Sequence, residues 1–183
     1  MNPFNYVARV RAYCCGIAER RRRLYRIAYA WCYDRTLAED LAQETLARGL
    51  KSLMQLRDLA ALDGWLINIL HNCWLDHLRR RRPTEHLDDV QETDFFVVDD
   101  GHDRHDMIAR VRGAIAKLPV GQREALSLVE LEGFSYPEVA QMLDVPLGTV
   151  TSRIGRARES LRTLLFEFKD EVRVHAPDLR RVK

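Results

Sequence analysis

Proline and glycine are scarce in this 183-residue chain, at 6 and 9 residues. That scarcity, with no sustained alternation of apolar and polar positions, excludes a β fold punctuated by hairpin turns. The four cysteines (Cys14, Cys15, Cys32, Cys73) form no CxxC pair and match no disulfide framework, so reduced thiols are expected, as in the cytoplasm. No apolar run approaches the roughly 18 residues that cross a bilayer. Met1 to Ala12 carries Arg9 and Arg11 but is followed by no apolar stretch, so no secretory signal is expected. A phosphate-binding GxxxxGK[ST] loop, HExxH and GxSxG are all missing, and no enzymatic activity is expected. Nor is a metal or other cofactor called for. Cys73 and His77 lie four apart, but two ligands do not make a zinc site.

What is present is charge and apolar residues in helical rhythm. Hydrophobic residues make up 46% and charged ones 31%, enough apolar surface for a core and against wholesale disorder. The length suits one ordinary domain or two small ones. The net charge of +2 conceals segregation. Residues 1–82 hold 15 Lys or Arg against 8 Asp or Glu, residues 83–106 hold 1 against 9, and residues 107–183 hold 13 against 10. Two basic bodies joined by an acidic strap suit a polyanion binder, although solvated faces around a linker would give the same sums.

The pattern predicts an all-α chain: two small helical domains joined by a flexible acidic linker, the second a four-helix domain with a helix-turn-helix. Expected boundaries are 1–82, a linker over 83–106, 107–170, and a short tail over 171–183. Helices are predicted near 4–33, 37–54 and 61–81, the last stopped by Pro83. In the second half they are predicted over Met107 to Lys117, Gly121 to Glu132, a short helix ending near Leu143, and Leu147 to Phe166. Gly133 is a C′ candidate, and Ser135 with Glu138 three residues on forms a capping box. Asp144, in the turn after the short helix, is expected to take a positive φ, which Asp tolerates.

At 100° per residue the last helix gathers Leu147, Val150, Ile154, Ala157, Leu161, Leu164 and Leu165 on one side. Opposite lie Thr149, Ser152, Arg153, Arg156 and Glu159. Hydroxyls can contact phosphates or base edges, and an arginine can fork onto guanine O6 and N7, so this face suits a major groove. The helix from Trp65 to Arg80 is apolar over a wide arc, with a narrow stripe of Asn68, Asn72, Asp76 and Arg79 that runs into Arg80, Arg81 and Arg82. Asparagines can read unpaired bases and arginines neutralise phosphate. The same stripe could equally be the hydrated edge of a packed helix.

Several stretches of the sequence resemble the extracytoplasmic-function sigma factors of bacterial RNA polymerase, within the sigma-70 family. Leu37 to Leu46 (LAEDLAQETL) is similar to the family's core-polymerase-binding helix, and Gly64 to Asn72 (GWLINILHN), running on to Asp76 and the arginines, to its promoter-melting helix. Leu118 to Leu126, Glu132 to Ala140 and Val145 to Arg158 resemble its second DNA-binding domain. These motifs fall in the family's order and cover about residues 20–82 and 107–166.

The resemblance implies roles that spacing alone does not. Asp40, Gln43 and Glu44 would face the clamp helices of the β′ subunit. The loop from about Gln55 to Ala60, with Asn72 behind it, would hold a base flipped from the −10 element, and Leu56, Arg57, Asn68 and Asp76 would also meet the −10 DNA. Extruding a base costs a few kcal/mol, offset by Arg79, Arg80 and Arg82 on the backbone. Thr149, Thr151, Ser152, Arg153 and Arg156 would enter the major groove at the −35 element, with the β flap as a further polymerase contact and an anti-sigma factor as a further partner. A spacer of ~17 base pairs at ~3.4 Å is about 58 Å. The strap over 83–106 would have to be held extended to span it, with Phe95 and Phe96 as candidate anchors.

Some positions depart from the family's habit: Thr151, Gly155, His71 and Leu50 stand where a basic, a bulky, an arginine and an aromatic residue are common. Two other readings compete. A stand-alone helix-turn-helix regulator would not need the first half, and a recombinase would need a nucleophile in a cleft. Cys14 and Cys15 suggest buried small hydrophobes before they suggest redox sensing.

Overall fold

The computed structural model describes residues 15–52, 56, 58–81 and 104–175. Almost all of the strap, and the strap anchors Phe95 and Phe96, lie outside the described residues, as do Cys14, Arg57 and Arg82. The described chain is all helical, with no strand. None of its helices is long and apolar enough to cross a membrane.

A helical stretch over 15–19 precedes α1 (Arg21–Cys32). Sequence predicts one unbroken helix here, but a turn at Arg20 divides it. The Arg20 guanidinium donates to the Gly16 carbonyl at 2.9 Å and pairs with Asp63, so its side chain ties the break to the neighbouring helix. Leu24, Ile27, Ala28 and Trp31 recur three and four apart and form the buried stripe of α1. Tyr33, at φ 52°, ends it. Asp34 comes next as the N-cap of α2 (Arg35–Lys51), its carboxylate accepting the Leu37 N–H at 3.0 Å. α3 (Leu62–Arg81) lies across both. Its approach to α2 depends on Gly49, where a Cβ would fall 2.9 Å from Leu66 Cδ2.

The second half comprises α4 (Arg104–Ala116), α5 (Val120–Leu126), α6 (Tyr136–Met142) and α7 (Leu147–His175). α4 starts three residues earlier than expected, taking Arg104 to Asp106 out of the anticipated linker. The single helix expected over 121–132 is α5 continued by a wide π-type turn, Ser127–Leu131. Such a wide turn inserts a residue and rotates the helical register beyond it. Gly133 stops it at φ 76°. The capping box of α6 is present: Ser135 Oγ accepts from the Glu138 N–H while the Glu138 carboxylate accepts the Ser135 N–H at 2.8 Å. The Ser135 hydroxyl, which donates to the Glu138 carboxylate at 2.6 Å, and then the Ser135 N–H hold that exposed carboxyl below its ordinary range. Asp144 adopts φ 52° in the turn before α7, as the sequence predicts.

A glycine inside α7 is a cost without an evident return. Gly155 is exposed, and a Cβ there would meet nothing within 4 Å. Gly155→Ala is expected to raise stability by about 0.5–1 kcal/mol, read as a higher urea midpoint at unchanged slope.

The two halves share one core. A single cluster of buried side chains runs from Leu24, Ile27, Trp31, Leu66 and Leu70 into Ala125, Leu128, Val139, Met142 and Ile154. The junction is polar as well as apolar. Trp31 Nε1 donates to Ser127 Oγ at 2.8 Å in the interior. His71 Nε2 stands 3.6 Å from Glu124 Oε2, both side chains buried, with the His71 ring edge-on to Trp31. At the rim, Glu132 takes Arg23 at 2.8 Å and Arg26 at 3.1 Å, and the Arg23 guanidinium also lies 4.7 Å from the centre of the Phe134 ring.

Candidate nucleic-acid interface

The helix-turn-helix is built from α6, the Asp144 turn and α7. Its inner side is secured by Val150, Ile154 and Ala157, each buried to 1% exposure or less. The outer side carries the expected reading face: Thr151, Ser152 and Arg156 are exposed, Thr149 and Arg153 half-buried. Leu147 departs from the expected apolar arc. It is 49% exposed, because the arc enters the core only from Val150 onward. The Thr151 hydroxyl donates to the Leu147 carbonyl and Ser152 to Thr149, at 3.1 and 3.0 Å. Both hydroxyls therefore rest on their own helix and would have to rotate to meet a phosphate or base. Arg153 lies over Gly121 of α5, where an added Cβ would fall 2.8 Å from its Cζ, so the guanidinium crosses the start of α5. Arg156 stands alone among these arginines in projecting fully from the face. Beyond it, Arg158 ties α7 to the π-type turn through Glu130 at 2.6 Å.

On α3 the stripe is intact but occupied. Asn68 Nδ2 donates to the Met142 carbonyl at 3.1 Å, and Asn68 Oδ1 accepts from Asn72 Nδ2 at 3.2 Å. Gly64, one turn earlier, faces Met142 Cε at 3.5 Å measured from an added Cβ. Asp76 pairs with Arg48 at 3.2 Å and with Arg79 at 3.6 Å. Arg79, Arg80 and Arg81 are exposed, giving a cationic end to the helix. Leu56, expected in a base-holding loop, is buried at 5% exposure within the core. His71 is also inside, where it serves the junction rather than a surface.

Asp40, Gln43 and Glu44 are all exposed on one side of α2. With Arg48 of the same helix they line a groove of about 580 Å³ whose other wall is Cys73, His77 and Arg80 of α3. Glu44 accepts from Arg48 at 2.7 Å, and Arg48 passes on to Asp76, so acid and base alternate across the groove. Burial, then Arg81 and Arg80, lowers the His77 pKa from its ordinary value, which favours the neutral ring near pH 7. No cluster of three or more metal-ligating side chains occurs among the described residues. Sequence reasoning did not find Arg23, Arg26, Trp31, Glu124, Ser127 or Glu132, since each acts with a partner far along the chain. The run of four arginines from Arg20 to Arg23 was the available signal.

The thiols offer a check on this packing. Cys15 is exposed, whereas Cys32 and Cys73 are buried. Burial pushes the Cys32 thiol up to about 11 and raises that of Cys73, suppressing the reactive thiolate. At pH 8, iodoacetamide is expected to modify Cys15 well before Cys32 or Cys73, which react only in denaturant, as peptide mass spectrometry would record. Equal rates at Cys15 and Cys73 would mean that α2 does not cover α3 as described.

Residues 17–84 match the family described as Sigma-70 region 2, and residues 108–161 match Sigma-70, region 4. The chain is 36% identical over 144 residues to the ECF RNA polymerase sigma factor EcfG of Rhodopseudomonas palustris, covering 79% of this chain and 78% of that one. Among solved structures it resembles the sigma factor RpoE in complex with the anti-sigma factor NepR from Bartonella quintana. There the TM-score is 0.65 at 28% identity, over 79% of this chain and 91% of that one. It also resembles CnrH in complex with the cytosolic domain of CnrY, with a TM-score of 0.62 at 28% identity, over 86% and 89%.

Proposed function

As the chain belongs to the sigma-70 family, in its extracytoplasmic-function branch, it is a promoter-specific transcription initiation factor, and we propose that it binds core RNA polymerase, recognises −35 and −10 elements and melts the −10 region. The observation that carries this reading is collinear: a region 2 match containing α2 and α3 precedes a region 4 match that folds as a helix-turn-helix with a polar outer face. The protein supplies recognition and strand separation, while the polymerase supplies the chemistry. Its place of action is the cytoplasm, where core polymerase and promoters are found.

Region by region, Asp40, Gln43 and Glu44 dock on the β′ clamp helices through the α2 groove. Asn68, Asn72, Asp76 and the arginines at 57, 79, 80 and 82 take the −10 non-template strand, whereas the buried Leu56 supports them from the core. Thr149, Thr151, Ser152, Arg153 and Arg156 read the −35 element, and the second domain also meets the β flap. Because two similar structures are complexes with NepR and with CnrY, an anti-sigma factor is proposed as the partner that holds the chain inactive.

In vitro transcription on fragmented genomic DNA, with purified core polymerase and with or without this protein, tests the whole assignment. New transcripts sharing a two-part upstream motif are expected; no binding to core at all would overturn it. Asp40→Ala with Gln43→Ala is expected to weaken core binding about tenfold or more in a pull-down titration, since interface residues that matter cost over ~1 kcal/mol each. Binding of DNA by the second domain should be spared. An unchanged core affinity would place the polymerase face elsewhere.

A further inference from the structure

The helix α1 carries four arginines and no acidic residue. At ~100° per residue its buried stripe of Leu24, Ile27 and Trp31 occupies one side, while Arg22, Tyr25, Arg26, Tyr29 and Tyr33 share an arc of about 100° on the other. An outer arc of this kind ordinarily holds charged and polar residues. Here tyrosines recur every fourth residue and their rings form a row. The Tyr25 and Tyr29 rings have centres 6.2 Å apart and planes inclined by 15°, and Tyr29 and Tyr33 follow at 5.7 Å and 47°. All three are half-buried, with Tyr25 and Tyr29 bordering the core, and Arg22 and Arg26 beside them are exposed. Arg26 is drawn to Glu132 at 3.1 Å, whereas Arg22 enters no ion pair among the described residues.

We propose that this aromatic row is a stacking platform for a single-stranded nucleic acid, with Arg22 and Arg26 neutralising its phosphates. The chemistry of the face selects that partner. Every base has a π-face that can lie on a tyrosine ring whatever the sequence, and an unpaired strand is the polyanion that an acid-free arginine helix attracts. A duplex keeps its bases in its own stack and gains only the charge. From Tyr25 to Tyr33 the row spans about 12 Å along the axis, room for the two or three bases that small aromatic platforms hold. Burial pushes the Tyr33 hydroxyl up to about 12, so at neutral pH that ring adds no negative charge against the strand. Arg26 must leave Glu132 to meet a phosphate, and Arg22 need leave nothing. The platform lies on a different helix from the Asn68 and Asn72 stripe, so it stands whether or not α3 takes the −10 strand. Unpaired DNA and RNA offer this face the same chemistry, and the test separates them.

The test titrates the full chain by fluorescence anisotropy against fluorescein-labelled oligothymidylate DNA, oligouridylate RNA and a duplex of equal length. Tyr29→Leu is expected to weaken strand binding roughly tenfold, in the natural background and beside Asn72→Ala alike. Tyr29→Phe, which keeps the ring, should bind as the natural chain does. Arg22→Gln should weaken binding and lower the salt slope by about 0.7, the loss of one phosphate contact on a single strand. Ultraviolet cross-linking to a strand containing 5-bromouracil should mark Tyr25, Tyr29 or Tyr33. Tighter binding of one strand names it as DNA or RNA, and either supports the platform. Helical circular dichroism checks that Tyr29→Leu is folded; if it is not, the exposed Arg22→Gln and the cross-links decide. A duplex bound as tightly as the strands would overturn the proposal, as would a Tyr29→Phe loss equal to that of Tyr29→Leu. Cross-links confined to other helices, or unchanged affinity in both Tyr29→Leu and Arg22→Gln, would overturn it too.

Discussion

Trp31→Ala is expected to lower the unfolding free energy by about 3–5 kcal/mol, the range for removing a fully buried indole. Three features place it there. The side chain is 0% exposed, it lies where the cores of both halves meet, and its Nε1–H is satisfied by Ser127 Oγ at 2.8 Å. Replacement by alanine removes the ring that His71 stands edge-on to, leaving a cavity between α1, α3 and the π-type turn. Since domains are stable by only about 5–15 kcal/mol, the variant would lose a large share of its margin. Trp31→Phe separates the contributions. It keeps most of the volume and forfeits the hydrogen bond, so a loss of about 1–2 kcal/mol is expected. Urea denaturation of both variants against the natural chain measures the pair. Similar small losses for Ala and Phe would mean that the indole is not packed between the halves.

Arg156→Ala is expected to reduce binding to a −35 duplex roughly 5- to 150-fold, corresponding to about 1–3 kcal/mol for a bidentate arginine–guanine contact. The prediction is specific because its neighbour is placed differently. Arg156 is exposed on the outer face, while Arg153 lies across Gly121. Arg153→Ala should therefore perturb the packing of α7 on α5 as well as DNA binding, and lower the melting temperature. Arg156→Ala should leave the melting temperature within about a degree or two, as surface substitutions usually do. If Arg156 reads a base, its loss relaxes preference at one promoter position; if it holds a phosphate, binding weakens across all sequences and the salt slope falls by about one. Electrophoretic competition with variant promoters at two salt concentrations distinguishes these. No change in affinity would remove Arg156 from the reading face.

Much of this architecture is legible in the sequence where the cause is local. The Ser135–Glu138 capping box, the positive φ of Asp144 and the stop at Gly133 each depend on a few neighbouring residues, and all three are present. The 3.6-residue rhythm of α7 likewise identifies Val150, Ile154 and Ala157 as its inner side. What escapes is set by partners far along the chain. Arg23 meets Glu132, Trp31 meets Ser127 and Asn68 meets Met142 across sequence separations of 109, 96 and 74 residues. No periodicity encodes such pairs. The break at Arg20 is of the same kind, since the turn is tied to Asp63 on another helix. Leu56 shows the converse: a loop position read for its place in a motif is spent on the core. The asparagine stripe of α3 is open to two readings in sequence, and in the structure Asn68 bonds the Met142 carbonyl while Asn72 and Arg79 stay exposed.

The continuity of the core across both halves has a thermodynamic corollary. A ligand that engages the two halves only when they are apart, whether a protein surface or a DNA strand, must first break the contacts of Trp31 with Ser127 and of Arg23 with Glu132. Two such ligands then share one opening free energy, so whichever binds first raises the affinity for the second by the factor it has already overcome. Linkage makes that factor reciprocal. The strengthening of promoter binding by polymerase must equal the strengthening of polymerase binding by promoter, even if the two ligands never touch.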